Sequence, residues 1–126
     1  PVGGPLFPHD MRTDRAERFL VTETVREKVY QLYGDEVPYY VAVTIDEFIE
    51  REEGHGVYIG CMIYVDKQSQ KGILIGSGGS ALKAVGIQAR EEIERMLGRP
   101  VYLDLWVKTR PRWRQQSRFV REELGY

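Results

Sequence analysis

Four consecutive residues, Gly76-Ser77-Gly78-Gly79, have the types and spacing for one kind of chemistry, the gripping of an anion. Glycine carries no Cβ, so a phosphate can approach the main chain closely there, and positive φ angles cost little. Backbone N–H groups at the start of a following helix then face the anion, and the helix dipole favours negative charge. Ser80 opens that helix, while Lys71 and Lys83 lie on either side of the loop and can pair with phosphates. Ile73 and Ile75, just ahead of the loop, can form an apolar floor for bases.

Two other readings of the same loop are open. A glycine-rich turn between helices also serves as a plain tight connection. The string Gly76-x-Gly78-x-x-Ala81 further satisfies the loose dinucleotide-binding pattern, which requires a strand directly before the first glycine and an acidic residue at the end of the next strand. The nearest strong strand ends around Val65 or Asp66, about ten residues early, and Asp104 falls in the middle of the following strand. Elsewhere, Asp46-Glu47 and Glu50-Arg51-Glu52-Glu53 offer paired carboxylates, but with no His or Cys cluster beside them they read as a solvated hairpin tip. His55, between Gly54 and Gly56, belongs to that turn. Cys61 falls in an apolar set and reads as an inert core thiol. No metal-ligand cluster and no nucleophile–base pair is visible, so an enzyme is a distant third possibility.

The elements that must hold the loop are legible from periodicity. After residues 1–13, with three prolines and two glycines, Asp14 reads as an N-cap and Glu17 completes a capping-box spacing. A helix from Arg15 to about Tyr33 then presents Val21, Val25, Val29 and Leu32 on one face and ends at Gly34. Val41, Val43 and Ile45 alternate with Tyr40, Ala42 and Thr44 as a half-buried strand, with the acidic residues at its end and in the following turn. A second strand places Val57, Ile59, Cys61, Ile63 and Val65 on one face. After a short helix and the loop comes a long helix with Leu82, Val85, Ala89, Ile93 and Met96 in a stripe. Ser80 or Gly79 caps its start, and Gly98 with Pro100 stops it. Val101, Leu103, Leu105 and Val107 alternate with Tyr102, Asp104, Trp106 and Lys108 in the cleanest strand of the chain. The tail 109–126 interleaves Arg110, Arg112, Arg114, Arg118 and Arg121 with Trp113 and Phe119, a composition suited to binding nucleic acid by charge and stacking. The predicted order is helix, strand, strand, short helix, loop, long helix, strand, helix: an α+β domain with one three-stranded sheet and its helices on one face.

With 126 residues the chain is long enough for one domain with a real core. No apolar run approaches the ~20 residues that span a bilayer, and no signal-peptide pattern opens the sequence. The start at Pro1 rather than Met suggests a fragment or a processed chain. One cysteine cannot form an internal disulfide, which fits a reducing cytoplasm. The net charge of −1 conceals an asymmetry: residues 1–66 hold 6 basic and 13 acidic side chains, a net −7, whereas residues 67–126 hold 12 and 6, a net +6. The basic half contains the glycine loop, so an overall acidic balance does not argue against a nucleic-acid partner.

The helix–Gly-x-x-Gly–helix core resembles a KH domain, and the order α-β-β-α-α-β resembles the type II KH fold with a three-stranded mixed sheet, here followed by a C-terminal helix. The likeness goes further. Gly4-Pro5-Leu6-Phe7-Pro8, Thr13-Asp14, Arg18-Phe19 and Val25-Arg26-Glu27-Lys28 resemble the helix that opens the C-terminal domain of the Era family of GTPases. Val41 to Phe48, Ile63-Tyr64-Val65, Ser69-Gln70-Lys71-Gly72, Ala89 to Glu94, Val101 to Lys108 and Gly125-Tyr126 continue the resemblance over essentially the whole chain.

The resemblance implies a division into 1–13, a linker from an N-terminal GTPase domain absent here; 14–108, a type II KH RNA-binding domain; and 109–126, a basic C-terminal helix or tail ending at the natural C-terminus. It implies a domain that binds the 3′ end of 16S ribosomal RNA in assembly of the 30S ribosomal subunit, in cis to the GTPase domain. The location it implies is cytoplasmic, with peripheral contact on the inner face of the cell membrane. The RNA clamp would be Gly76, Ser77, Gly78, Gly79 and Ser80, the floor Ile73 and Ile75, the phosphate partners Lys71 and Lys83, and Arg110, Arg112 and Arg114 a second tier. GTP and Mg would belong to the absent domain, because no Gly-x-x-x-x-Gly-Lys-Ser/Thr motif occurs here and this chain has no cofactor or catalytic site of its own. Ser77 departs from the family loop, which usually reads Gly-Lys-Gly-Gly; losing the lysine removes one phosphate partner and weakens the salt dependence of binding. The alternative is a KH-like protein-interaction module docking on a ribosomal or regulatory protein.

Overall fold

A computed structural model of the chain describes residues 3–34, 41–52 and 55–111, with side chains described from Arg15 onward. The elements are α1 (Gly3–Tyr33), β1 (Ala42–Glu50), β2 (Val57–Val65), α2 (Gln68–Ile75), a short 3-10 turn (Ser77–Gly79), α3 (Ser80–Leu97) and β3 (Val101–Thr109). The sheet has the order β1-β2-β3. β1 pairs antiparallel with β2 across a hairpin, and β2 pairs parallel with β3. A parallel pair cannot be closed by a tight turn, so the chain between β2 and β3 must cross over. α2, the glycine loop and α3 are that crossover, which fixes the loop at one end of the sheet.

The α+β class and the three-stranded mixed sheet agree with the sequence expectation, and the details differ where periodicity is ambiguous. α1 begins at Gly3, about twelve residues ahead of the expected Arg15, and its backbone takes in most of the segment read as a linker. Val21, Val25 and Val29 are fully buried, but Leu32 is 40% exposed. Met96 of α3 is likewise 38% exposed, while Val85, Ala89 and Ile93 are buried. The reason is the same in both helices. The buried stripe advances by four residues each turn, so it passes to Tyr33 rather than Leu32 and to Leu97 rather than Met96, and both of those pack on the core.

β1 runs on through Asp46, Glu47 and Glu50, which were expected at its end and in the turn, and stops before Glu52. Ile45 pairs with Cys61 and Glu47 with Gly60, leaving Asp46 as a bulge. One extra residue reverses the alternation beyond it. Ile45 and Phe48 therefore both pack on the core although three apart, and Ile49 is left on the outside. Tyr40 and Gly54 lie outside the described residues. In β2, Val57, Ile59, Cys61, Ile63 and Val65 are all fully buried, as the alternation predicts.

Polar ties hold the layers in register. Arg99, after α3, reaches Glu17 of α1 at 3.2 Å and Glu50 of β1 at 3.1 Å. Lys28 of α1 meets Glu92 of α3 at 2.9 Å. The Tyr33 hydroxyl donates to the carbonyl of Leu74, two residues before the glycine loop, and that burial raises its pKa. No helix among the described residues is long and apolar enough to cross a membrane.

Candidate nucleic-acid interface

The loop is built by glycines that no other residue replaces at equal cost. Gly76 ends α2 with φ 75° and ψ 178°, and its N–H donates to the Gly72 carbonyl at 2.9 Å. A Cβ there would stand 2.6 Å from the Cβ of Ala81, so Gly76 is required both by its dihedral and by contact. Gly78 (φ 61°) and Gly79 (φ 81°) complete the turn in the left-handed region. A Cβ at either would meet nothing within 4 Å, so the outer surface of the loop is open for a ligand to approach.

Gly79 is the N-cap of α3, as the sequence allows, and no side chain caps that end. No acidic residue stands in the first turn. The Gly79 N–H donates to the Gly76 carbonyl at 3.2 Å and the Ser80 N–H to the Ser77 carbonyl, so the 3-10 turn takes up these first donors and the helix dipole is what this end offers an anion. Ser77, Gly78 and Ser80 are exposed around this point.

From the loop a groove of about 340 Å³ runs between α3 and β3. It is lined by Gly79, Leu82, Lys83, Gly86, Ile87, Arg90, Leu103 and Leu105. The charged members are Lys83 and Arg90, both basic, and the remaining wall is apolar or glycine. Gly86 lies in the middle of a helix, where glycine costs about 1 kcal/mol relative to alanine. A Cβ on it would stand 3.7 Å from Leu105 Cδ1, so the bare backbone is what leaves room between the two walls.

The predicted residues are placed as follows. The loop, Ser80 and Lys83 come together at the mouth of the groove. Lys71 is half-buried on α2, Ile73 is 41% exposed on the same helix, and Ile75 is its last residue and packs partly on the core. The groove wall itself is formed by Leu82, Ile87, Leu103 and Leu105 instead. Arg110 donates its N–H to the Val65 carbonyl at 2.8 Å, and its guanidinium lies over the Tyr64 ring. Tyr64 alternates with the core-facing residues of β2, so Arg110 is on the sheet face away from the groove. Arg112, Arg114 and the rest of the tail from 112 lie outside the described residues.

Leu82, Leu103 and Leu105 pack partly on the core, as their spacing predicts, and also line the groove; Gly86, Ile87 and Arg90 are the lining residues that the sequence reading passed over. A signal was present: a glycine in mid-helix, with an isoleucine beside it that is off the apolar stripe.

Residues 36–114 match the profile of the KH domain. The chain belongs to the KH-domain family. The KH match covers the sheet, α2, the loop and α3, which together form the groove. Over its whole length the chain is 49% identical to a protein named GTPase Era from Trichlorobacter lovleyi, of which it covers 42%. It is 46% identical over 121 residues to GTPase Era of Carboxydothermus hydrogenoformans, covering 96% of this chain and 41% of that one. The chain thus spans about two-fifths of the length of the curated relatives it matches. Among solved structures, the KH fold superposes with a TM-score of 0.75 on Era in complex with MgGDPNP and nucleotides 1506–1542 of 16S ribosomal RNA. The identity is 44%, over 82% of this chain and 35% of that one.

Proposed function

We propose that this KH domain is the RNA-binding part of an Era-like ribosome-assembly GTPase and grips single-stranded RNA at the 3′ end of 16S rRNA during maturation of the 30S subunit. The observation that carries the reading is the continuity of the glycine loop with the α3–β3 groove. A phosphate seats on the loop and the uncapped start of α3, and the attached bases lie along an apolar wall beside Lys83. The solved Era complex containing that RNA supports the choice of target. Gly76, Ser77, Gly78, Gly79 and Ser80 form the clamp. Lys71 and Lys83 neutralise phosphates, and Leu82, Gly86, Ile87, Leu103 and Leu105 take the bases, with Ile73 and Ile75 at the entrance. Arg110 adds charge outside the groove, and Arg112 and Arg114 are second-tier phosphate partners.

In this reading GTP and Mg belong to the part of the relatives that this chain does not span, the chain itself works without a cofactor, and residues 1–13 join the two parts. The site of action is the cytoplasm. Peripheral contact with the inner membrane rests on the family resemblance alone.

The test is fluorescence-anisotropy binding to a short single-stranded RNA copied from the 3′ end of 16S rRNA, beside a base-scrambled control and across a salt series. Sequence-dependent binding that falls with salt is the expected result. Equal weak binding to both RNAs would leave only a basic surface and shift the weight to docking on protein.

A further inference from the structure

The glycine loop is tied to a part of the molecule far away in the sequence. α2 ends where Gly76 leaves the helix with φ 75° and ψ 178°. A helix that stops leaves the carbonyls of its last turn without onward helical partners. That of Gly72 accepts from the Gly76 N–H at 2.9 Å. That of Leu74 accepts instead from the Tyr33 hydroxyl, 41 residues earlier, on the last residue of α1. Leu74 is fully buried, so in this packing no water stands in for a donor lost from its carbonyl.

The loop needs such a tie. Gly76, Gly78 and Gly79 each have a wide range of backbone angles, so the segment takes its direction from whatever anchors its two ends. One anchor is α3, whose Val85, Ala89 and Ile93 are fully buried. The other is α2, which has only eight residues and buries Leu74 alone among them. A helix that short does not hold itself in water. α1 carries three fully buried valines, Val21, Val25 and Val29, and is the firmer body. Tyr33 therefore extends the rigidity of α1 to the last turn of α2. Tyr30, one turn earlier, accepts from the Val41 N–H at 3.0 Å and ties the same helix to the start of β1 instead.

We infer that Tyr33 is a positioning residue for RNA binding, its hydroxyl holding the Leu74 carbonyl so that α2 delivers the glycine loop in the conformation that receives a phosphate. The inference rests on the RNA-clamp reading above. Tyr33 acts through the Leu74 main chain and not by contact with RNA. Without its hydroxyl the loop samples other conformations, and apparent affinity falls with the fraction that remains competent.

The experiment compares Tyr33→Phe, Tyr30→Phe and the unchanged 126-residue chain in anisotropy titrations with the 16S 3′-end RNA, well below the thermal transition. Both substitutions keep a ring that packs on the core and remove one hydroxyl, and circular dichroism checks that both variants are folded. Tyr33→Phe should bind the RNA roughly five-fold more weakly, the range of one net hydrogen bond. Tyr30→Phe should lower the melting temperature about as much and bind the RNA as the unchanged chain does. In amide NMR spectra of the free proteins, the Gly76, Gly78 and Gly79 signals should shift and exchange faster with solvent in Tyr33→Phe alone. Unchanged affinity in Tyr33→Phe, equal loss in both variants, or weaker binding with the three glycine signals unmoved would overturn the positioning role and leave the clamp standing. A Tyr33→Phe chain that does not fold would also overturn it, by making Tyr33 part of the framework. Failure of the unchanged chain to bind the RNA would overturn the clamp, and the positioning role with it.

Discussion

At the scale of single residues, the loop glycines do different jobs. Gly76 is held by contact with Ala81, whereas Gly78 faces open space and is constrained by its dihedral alone. Aspartate is among the few residues that tolerate a left-handed conformation, at a cost of about 1 kcal/mol. Gly78→Asp should therefore leave the fold intact, with an unchanged circular dichroism spectrum, and set a carboxylate where a phosphate belongs. RNA binding should be lost in the same anisotropy assay, and unchanged affinity would remove the loop from the interface. A second residue-scale prediction concerns Tyr58, whose hydroxyl donates to Asp104 Oδ2 at 2.8 Å. That hydrogen bond first, then burial and the carboxylate charge, pushes the phenol up to about 12 from its usual 10.0. The folded state holds this proton more tightly than the unfolded chain, so its stabilising effect is complete below pH 10 and is lost as pH rises toward 12. Ultraviolet titration should show late-ionising tyrosines, Tyr33 among them because of its burial, and the Tyr58 component alone should move back toward 10 in Asp104→Asn.

At the scale of elements, α3 serves three purposes with different sides of one helix. Val85, Ala89 and Ile93 bury one side, the uncapped start faces the loop, and Leu82, Lys83, Gly86, Ile87 and Arg90 line the groove. The first and third demands conflict at Gly86, which weakens the helix in order to keep the groove wide. Gly86→Ala should raise stability by about 0.5–1 kcal/mol, because the added methyl fits without clash and removes backbone freedom from the unfolded chain. The same methyl narrows the groove against Leu105, so RNA affinity should fall several-fold. Thermal unfolding and anisotropy on one variant would show the two properties moving in opposite directions. If affinity held or rose, the wall at Gly86 would not touch RNA.

At the scale of the whole molecule, α1 and α3 lie on one face of the sheet and meet it through a core of valines and isoleucines. Val25 stands at the centre of the α1 stripe and is fully buried. Val25→Ala removes two methylene-sized groups from a close-packed interior and should cost about 2 kcal/mol, lowering the melting temperature by roughly 8 °C. Affinity for RNA measured well below that transition should not change, since no groove residue moves. A loss of affinity at low temperature would mean that α1 packing sets the loop geometry, a coupling that the Tyr33–Leu74 hydrogen bond could transmit.

Local patterning alone determined much of this protein. Alternation in 57–65 and 101–109 specifies two strands, because a pleated backbone sends successive side chains to opposite faces. Glycines at 76, 78, 79 and 98 mark the turns that need positive φ, and Gly98 closes α3 in that conformation with its N–H on the Glu94 carbonyl. These are short-range effects, so a short window of sequence carries them. What lay beyond reach depends on pairing between distant segments. The bulge at Asp46 exists only because β1 is registered against β2, and it decides that Phe48 rather than Glu47 turns inward. The groove likewise has no sequence of its own: one wall comes from α3 and the other from β3, and only the parallel crossover sets Gly86 against Leu105. Leu82, Leu103 and Leu105 are indistinguishable from core residues by period, since a groove wall and a core face carry the same apolar spacing. Tertiary packing alone decides which of the two is left open.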